Sequence, residues 1–175
     1  DSSKLNELLK IANLEGYIFP STYFFSKGET DLTFLKRSVQ KMQNVLADEW
    51  AKRAQGLPLS SAYEALILAS LVEKESGHKS ERSKIAGVFI RRLLKGMRLQ
   101  SDPTIIYGMG DNYKGNIRRK DINNKTAYNT YQIKALPPTP IASPGQDAIH
   151  AVLHPDSGKS LYFVADGSGG HQFSN

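Results

Sequence analysis

Glu75 is the residue in this chain best placed to handle a proton. It closes the run LILASLVEKES, residues 66–76, where an apolar stretch meets two carboxylates, Glu73 and Glu75. On a helix, positions two apart point to roughly opposite sides. Glu75 then lies over Leu71 and Val72, with Leu68 a further turn back, whereas Glu73 lies over Ala69 and Ser70. Loss of water on the leucine face and the partial negative charge at a helix carboxyl end both raise a carboxyl pKa, and a nearby cation such as Lys74 would lower it. A net rise is expected, which suits an acid that holds a proton near neutral pH and then releases it. Alternatively, both glutamates are ordinary solvated residues at a fraying helix end.

Other chemistries find less support. The histidines at 78, 150, 154 and 171 are dispersed. His150 and His154 stand four apart on an expected helix, a spacing that can bind zinc, but no glutamate sits between them where a metalloprotease needs its base. They are expected to be surface histidines, with no metal and no cofactor. No Gly-x-Ser-x-Gly elbow supports a serine nucleophile, and Gly108-Met109-Gly110 lacks the strand-to-helix setting of a phosphate loop. A glycosidase normally sets a second carboxylate across the sugar from its acid. Asp102, in Leu99-Gln100-Ser101-Asp102, is the nearest in sequence, although Asp-Pro is also an ordinary turn.

The elements that must position Glu75 are mostly helical. Ser61 and Glu64 form a capping-box pattern at the start of the central helix. A helix apolar nearly all round is a buried one. Before it, residues 30–55 carry a helical stripe of Leu32, Leu35, Val39, Met42, Leu46, Trp50 and Ala54, ended by Gly56-Leu57-Pro58. After it, Ser80 is the expected N-cap of a third helix with Ile85, Val88, Phe89, Leu93 and Leu94 inward and Gly96 as its stop. Residues 1–13 read as a short amphipathic helix. Residues 16–25, GYIFPSTYFF, read as extended wall-forming chain whose aromatics are mostly core, although such rings also bind sugars.

Residues 97–106, MRLQSDPTII, alternate like a strand around Asp102-Pro103, and residues 107–116 read as loop. Residues 136–145 hold four prolines and read as a stiff strap across the surface. A short helix follows over 145–153. SLYFVAD, residues 160–166, is the strongest strand, with Gly167–Gly170 as a tight turn to its hairpin partner at His171-Gln172-Phe173.

The 175 residues fit one domain with a real core, and 39% hydrophobic with 23% charged content is globular. There is no cysteine, which excludes disulfides and thiolate metal sites. A net charge of +6 favours acidic partners, but the basic residues are scattered and no nucleic-acid groove is expected. No stretch approaches the roughly 20 apolar residues of a membrane span. The chain begins with Asp and reads as a piece of something longer.

Glu75-Ser76, then Met97-Arg98-Leu99-Gln100, then Ala127-Tyr128-Asn129 fall in the order of the Glu-Ser, Gly-Leu-Met-Gln and Ala-Tyr-Asn signatures of lysozyme-like lytic transglycosylases. The chain more closely resembles the endolytic murein transglycosylases of the MltG (YceG-like) family. The resembling stretches include EGYIFPSTY, ILASLVEKESG, ERSKIAGVFIRRLLKGMRLQSDPTIIYGMG, AYNTYQIKALPPTPIASPG and LYFVADGSGGHQF, which run through nearly the whole chain.

That resemblance implies a bacterial enzyme cutting within peptidoglycan strands between N-acetylmuramic acid and N-acetylglucosamine, leaving a 1,6-anhydro end. One glutamate, falling on Glu75, would serve as acid and then base. By position, Gln100, Tyr128 and Asn129 would hold the acetamido sugar and orient the acid, with Ser76 and Asp102 as weaker partners. Amide and phenol groups bond sugars without adding a competing charge. The family usually carries an N-terminal membrane helix and a small LysM-like module ahead of the catalytic part, both outside this chain. They imply a parent in the bacterial inner membrane with its catalytic domain on the periplasmic side, associated with penicillin-binding synthases.

The expected fold is a single α+β catalytic domain over 1–175, helix-rich and lysozyme-like, with a small antiparallel β element. Two rivals predict different outcomes. A cell-wall binding module would hold anionic glycan without making new ends. A hydrolase with Asp102 as base would leave reducing muramic ends.

Overall fold

The computed structural model describes residues 14–175. The helix expected over residues 1–13 lies outside the described residues. In chain order the elements are α1 (Asp31–Ala51), α2 (Ala62–Glu75), a 3-10 turn (Lys79–Glu81), α3 (Arg82–Leu94), α4 (Asp102–Met109), a second 3-10 turn (Gly110–Asn112), α5 (Arg119–Asn123), α6 (Gln146–Leu153) and strands β1 (Tyr162–Ala165) and β2 (His171–Ser174). The architecture is α+β, with helices forming the body and one two-stranded antiparallel sheet beside it.

α2 is the hub. Every residue from Ala65 to Val72 is buried, and Leu66, Leu68, Leu71 and Val72 have no exposed surface at all. Full burial of each such aliphatic side chain contributes about 1.5–3 kcal/mol, so the helix is held by its surroundings on all sides. α6 packs most extensively on α2 and also meets α1 and α3, while α4 leans on the other flank of α2. Ser61 starts the hub as expected, its Oγ accepting the Glu64 N–H at 3.2 Å. The reciprocal bond differs by one residue: Glu64 Oε2 accepts from the Ser60 N–H at 2.7 Å.

Several expectations are corrected. Residues 97–106 do not form a strand: 97–101 run without regular structure and Asp102 then opens α4. Pro103 lies in the first helical turn, where a missing N–H is harmless. The loop expected over 107–116 begins later, because α4 runs to Met109 and a 3-10 turn follows. Ser80 is not the N-cap of α3, since Lys79–Glu81 form a 3-10 turn that leads into it. Of the early aromatics, Phe19 is core, but Phe24 and Phe25 are exposed.

The hairpin forms as expected, with Phe163 opposite Phe173 and Ala165 opposite His171. Gly96, at φ +63°, ends α3 in the left-handed region that favours glycine. Gly77 matters for a different reason. A Cβ there would stand 2.8 Å from the Gly169 carbonyl oxygen, so glycine allows the hairpin turn to press against the chain just beyond Glu75.

The proline strap sits deeper than a surface band. Pro137, Pro140, Ile141 and Pro144 are buried. Ser70 on α2 anchors it: its Oγ donates to the Ile67 carbonyl at 2.6 Å and accepts the Ile141 N–H at 3.0 Å. Ser70→Ala leaves that buried N–H without its partner, and a loss of about 1–3 kcal/mol in unfolding free energy is expected. Urea titration monitored by far-UV circular dichroism measures it.

Candidate functional site

Glu75 is the last residue of α2, half-buried, with the fully buried Leu71 and Val72 beneath it. Ser101, itself fully buried, donates its Oγ–H to Glu75 Oε1 at 2.6 Å. Burial raises the Glu75 pKa above the usual carboxylate range. The Ser101 bond works against this rise, the Asp102 charge adds to it, and His171 and Arg92 oppose it more weakly. Lys74, the cation considered in the sequence, is exposed and is not among the groups acting on Glu75.

Ser101 is itself rigidly placed. Its backbone N–H donates to Thr130 Oγ1 at 2.9 Å, and Thr104 Oγ1, which donates to the Ser101 carbonyl at 2.6 Å, lies 2.9 Å from the same Thr130 hydroxyl. All three residues are fully buried. The start of α4 and the 126–131 turn are thereby locked together, and their shared product is the aim of one hydroxyl at the carboxyl.

Asp102 is exposed, and its Oδ1 accepts the Tyr131 hydroxyl at 2.7 Å. Tyr131, half-buried, has its phenol pushed up by burial and by that Asp102 bond, with Glu75 adding to the shift. Arg92 stands behind, 5% exposed, donating Nε to the Leu161 carbonyl at 2.7 Å and Nη1 to the Leu99 carbonyl at 2.6 Å. Its guanidinium lies 5.1 Å from the Tyr162 ring centre, and burial lowers its pKa. His171 closes the other side, its Nδ1 2.9 Å from Glu81 Oε2 and its N–H donating to Glu81 Oε1 at 3.1 Å.

The remaining residues named from the sequence take different places. Gln100 is exposed at φ +53°, a left-handed conformation unusual for a residue with a Cβ. Its N–H donates to the Thr130 carbonyl at 3.2 Å, and no side-chain hydrogen bond is present among the described residues. Such local strain is often kept where a side chain must be presented. Tyr128 is half-buried, its Oη 2.8 Å from Thr139 Oγ1 and its ring centre 4.8 Å from that of Tyr107.

Asn129 is 1% exposed, and its Nδ2 donates to the carbonyls of Asp121, Ile122 and Asn124 while Oδ1 accepts the Tyr131 N–H. Its amide is therefore spent on shaping the turn that carries Tyr128, Thr130 and Tyr131. Ser76 caps α2, and its Oγ accepts Arg82 Nε at 3.1 Å.

The two glutamates differ as their opposite faces require. Glu73 Oε1 receives Arg82 Nη2 at 2.6 Å and Oε2 receives the Gly145 N–H at 3.0 Å, so it bolts α3 and the end of the proline strap to α2. Residues missed in the sequence are Ser101, Thr130, Tyr131, Arg92 and His171. Adjacency to Gln100 and Asp102 pointed toward Ser101, but the others come from distant segments with no local signal. Another group also emerges only in three dimensions: Glu49 joins His150 and His154, with one ligand atom from each within 4.8 Å of the others.

The raised Glu75 pKa carries a pH dependence. An unfolded glutamate titrates at about 4.3. With the folded value above it, the stability supplied by the neutral carboxyl is complete below that unfolded value and is lost as pH rises through the folded pKa. Glu75→Gln, neutral at every pH, is expected to raise the urea midpoint at pH 7 and to change it little near pH 4. Equal midpoint changes at both values would contradict the assignment.

Comparison with known proteins matches the whole chain, residues 1–175, to the YceG-like family. The chain is 39% identical over 156 residues to a protein of Bacillus subtilis strain 168 named endolytic murein transglycosylase, covering 89% of this chain and 43% of the relative. It is 35% identical over 158 residues to a Streptococcus pneumoniae protein of the same name, covering 87% of this chain and 28% of the relative. A crystal structure of a putative YceG-like protein from Listeria monocytogenes superposes with a TM-score of 0.78 at 36% identity, over 92% of this chain and 52% of that one. The chain thus spans less than half the length of these curated relatives and about half of the solved chain. With the family match running end to end and the fold shared, this chain belongs to the YceG-like family.

Proposed function

We propose that the chain is the single catalytic domain of an endolytic lytic transglycosylase acting on peptidoglycan. The observation that carries this reading is one carboxyl on a buried helix end with a raised pKa and a buried hydroxyl aimed at it, beside an Asp102 that accepts the Tyr131 hydroxyl. The names of the curated relatives support the substrate class.

In the proposed reaction, neutral Glu75 gives its proton to the glycosidic oxygen as the bond from muramic C1 to that oxygen breaks. The resulting carboxylate then takes the proton of the muramic 6-hydroxyl as O6 bonds to C1, which closes the 1,6-anhydro ring. Glu75 ends as it began, and no water is consumed. A raised pKa serves both halves, since it keeps the acid protonated and makes its anion a competent base. The Ser101 hydroxyl steadies Oε1 in each state. It donates to the anion, and in the acid it fixes which oxygen is presented outward.

Gln100, exposed on strained backbone, and Tyr128 are the groups proposed to meet the sugar, and Asn129 acts by holding the turn beneath Tyr128. Asp102 and Tyr131 act as a pair whose negative charge supports the high pKa of Glu75. Ser76 finishes the helix and holds Arg82. Among the described residues no helix is long and apolar enough to cross a membrane. The resemblance supports a parent protein anchored in the bacterial inner membrane, with its catalytic domain on the periplasmic side and working beside penicillin-binding synthases.

Glu75→Gln is expected to abolish release of anhydro-muropeptides from purified sacculi, read by mass spectrometry, while Glu73→Gln retains turnover despite a weakened fold. Near-normal anhydro product from Glu75→Gln would remove Glu75 from its role. Products that accept borohydride would instead indicate hydrolysis with Asp102 as base, and salt-sensitive binding with no new ends would indicate a binding module. Ser101→Ala removes a bond that lowers the Glu75 pKa, so the limb of the rate profile set by Glu75 is expected to move to higher pH.

A further inference from the structure

We propose that Glu49, His150 and His154 form a binding site for a zinc-class divalent cation that joins α1 to α6. The site is independent of Glu75 and of the reading given to it. Glu49 lies near the end of α1, and His150 and His154 come from the last turn of α6 and its C-cap. One ligand atom from each lies within 4.8 Å of the other two. Two imidazoles and a carboxylate are a common donor set for zinc at an open site, where a water completes the coordination.

Tetrahedral zinc sets neighbouring ligand atoms roughly 3.3 Å apart. Glu49 Oε2 and His150 Nδ1, now at 2.8 Å, would part slightly, and the His150 ring, 58% exposed and stacked on that of His154 with centroids 4.2 Å apart, would have to leave that stack to converge on the ion.

The surroundings have the form of an outer shell. His154 Nε2 stands 2.9 Å from the Lys52 carbonyl, which can only accept, so Nε2 carries a proton and Nδ1 is the nitrogen that would meet a metal. Nδ1 lies 3.3 Å from the His150 carbonyl. Gln146 Nε2 donates to Glu49 Oε1 at 3.0 Å and orients the carboxylate, leaving Oε2 toward the histidines. Partners of this kind fix ligand tautomer and direction in metal sites.

The three residues line a cavity of about 600 Å³ open to solvent, which supplies an entry path. Lys79 and Arg82 line the same cavity. Both are matched: Lys79 pairs with Asp147 at 2.9 Å, and Arg82 pairs with Glu73 at 2.6 Å and Asp147 at 3.6 Å. The field at the three donors is therefore not set by unopposed cations.

The test is calorimetric titration of the EDTA-stripped chain with zinc chloride, with thermal unfolding as a second readout. One zinc per chain is expected, with a higher unfolding temperature when zinc is present. His150→Ala removes a mostly exposed ring and keeps the fold, and it is expected to weaken zinc binding by well over about tenfold. Gln146→Ala, which removes only an outer partner, is expected to weaken it by about tenfold. Absence of zinc uptake by the unaltered chain overturns the proposal. So does uptake that His150→Ala and His154→Ala both leave unchanged, since the metal would then sit elsewhere.

Discussion

The hydrogen bond from Ser101 to Glu75 is the contact on which the site depends. It links the end of the most deeply buried helix to a segment 26 residues later, and it does so between a half-buried carboxyl and a fully buried hydroxyl. A carboxyl left in such a place without a donor would be free to turn toward water, and its pKa would follow. Instead its direction is set by a hydroxyl that cannot move, because Thr130 and Thr104 hold the backbone on both sides of it. The cost of keeping an acid dry is thereby met by one short bond that opposes burial without cancelling it.

The rest of the molecule can be understood as what keeps the two ends of that bond in place. α2 is immobilised by burial all round, and its C-terminal turn is tied to α3 and to the proline strap through Glu73. Ser70 nails the strap one turn earlier. On the opposite side Arg92 ties the chain before Ser101 to the chain before β1 through two carbonyls, while Glu81 holds the hairpin through His171. Nearly all of these anchors are charge-assisted or fully buried, which are the hydrogen bonds that contribute most. Glu73 and Glu75 show the division of labour clearly. Two carboxylates two residues apart end in different environments because one faces a guanidinium and the other a serine.

Much of the helical framework was legible in the sequence. The 31–51, 62–75, 82–94 and 146–153 helices all show apolar periodicity, caps or glycine stops, and the hairpin shows a glycine-rich turn between β-forming residues. Failures came where local signals were ambiguous. The 97–106 stretch alternates like a strand, yet among the described residues it pairs with none, and Pro103 fits a first helical turn as easily as it breaks a strand. Phe24 and Phe25 look like core by type but lie at a surface, because hydrophobicity says what a residue prefers and not whether the fold has room for it.

By itself the sequence determined that a carboxyl would end an apolar helix on its drier face, since helical periodicity and residue type are local properties. It also carried the family resemblance that named Gln100, Tyr128 and Asn129. Only the tertiary structure decided which groups face that carboxyl: Ser101, Tyr131, Arg92 and His171 arrive from four separate segments. It likewise spent Asn129 on backbone carbonyls and brought Glu49 to His150 and His154 across about a hundred residues. Hydrogen-bond partners between distant segments leave no periodic trace in a chain, because they are fixed by how helices pack and not by the spacing of residues along any one of them.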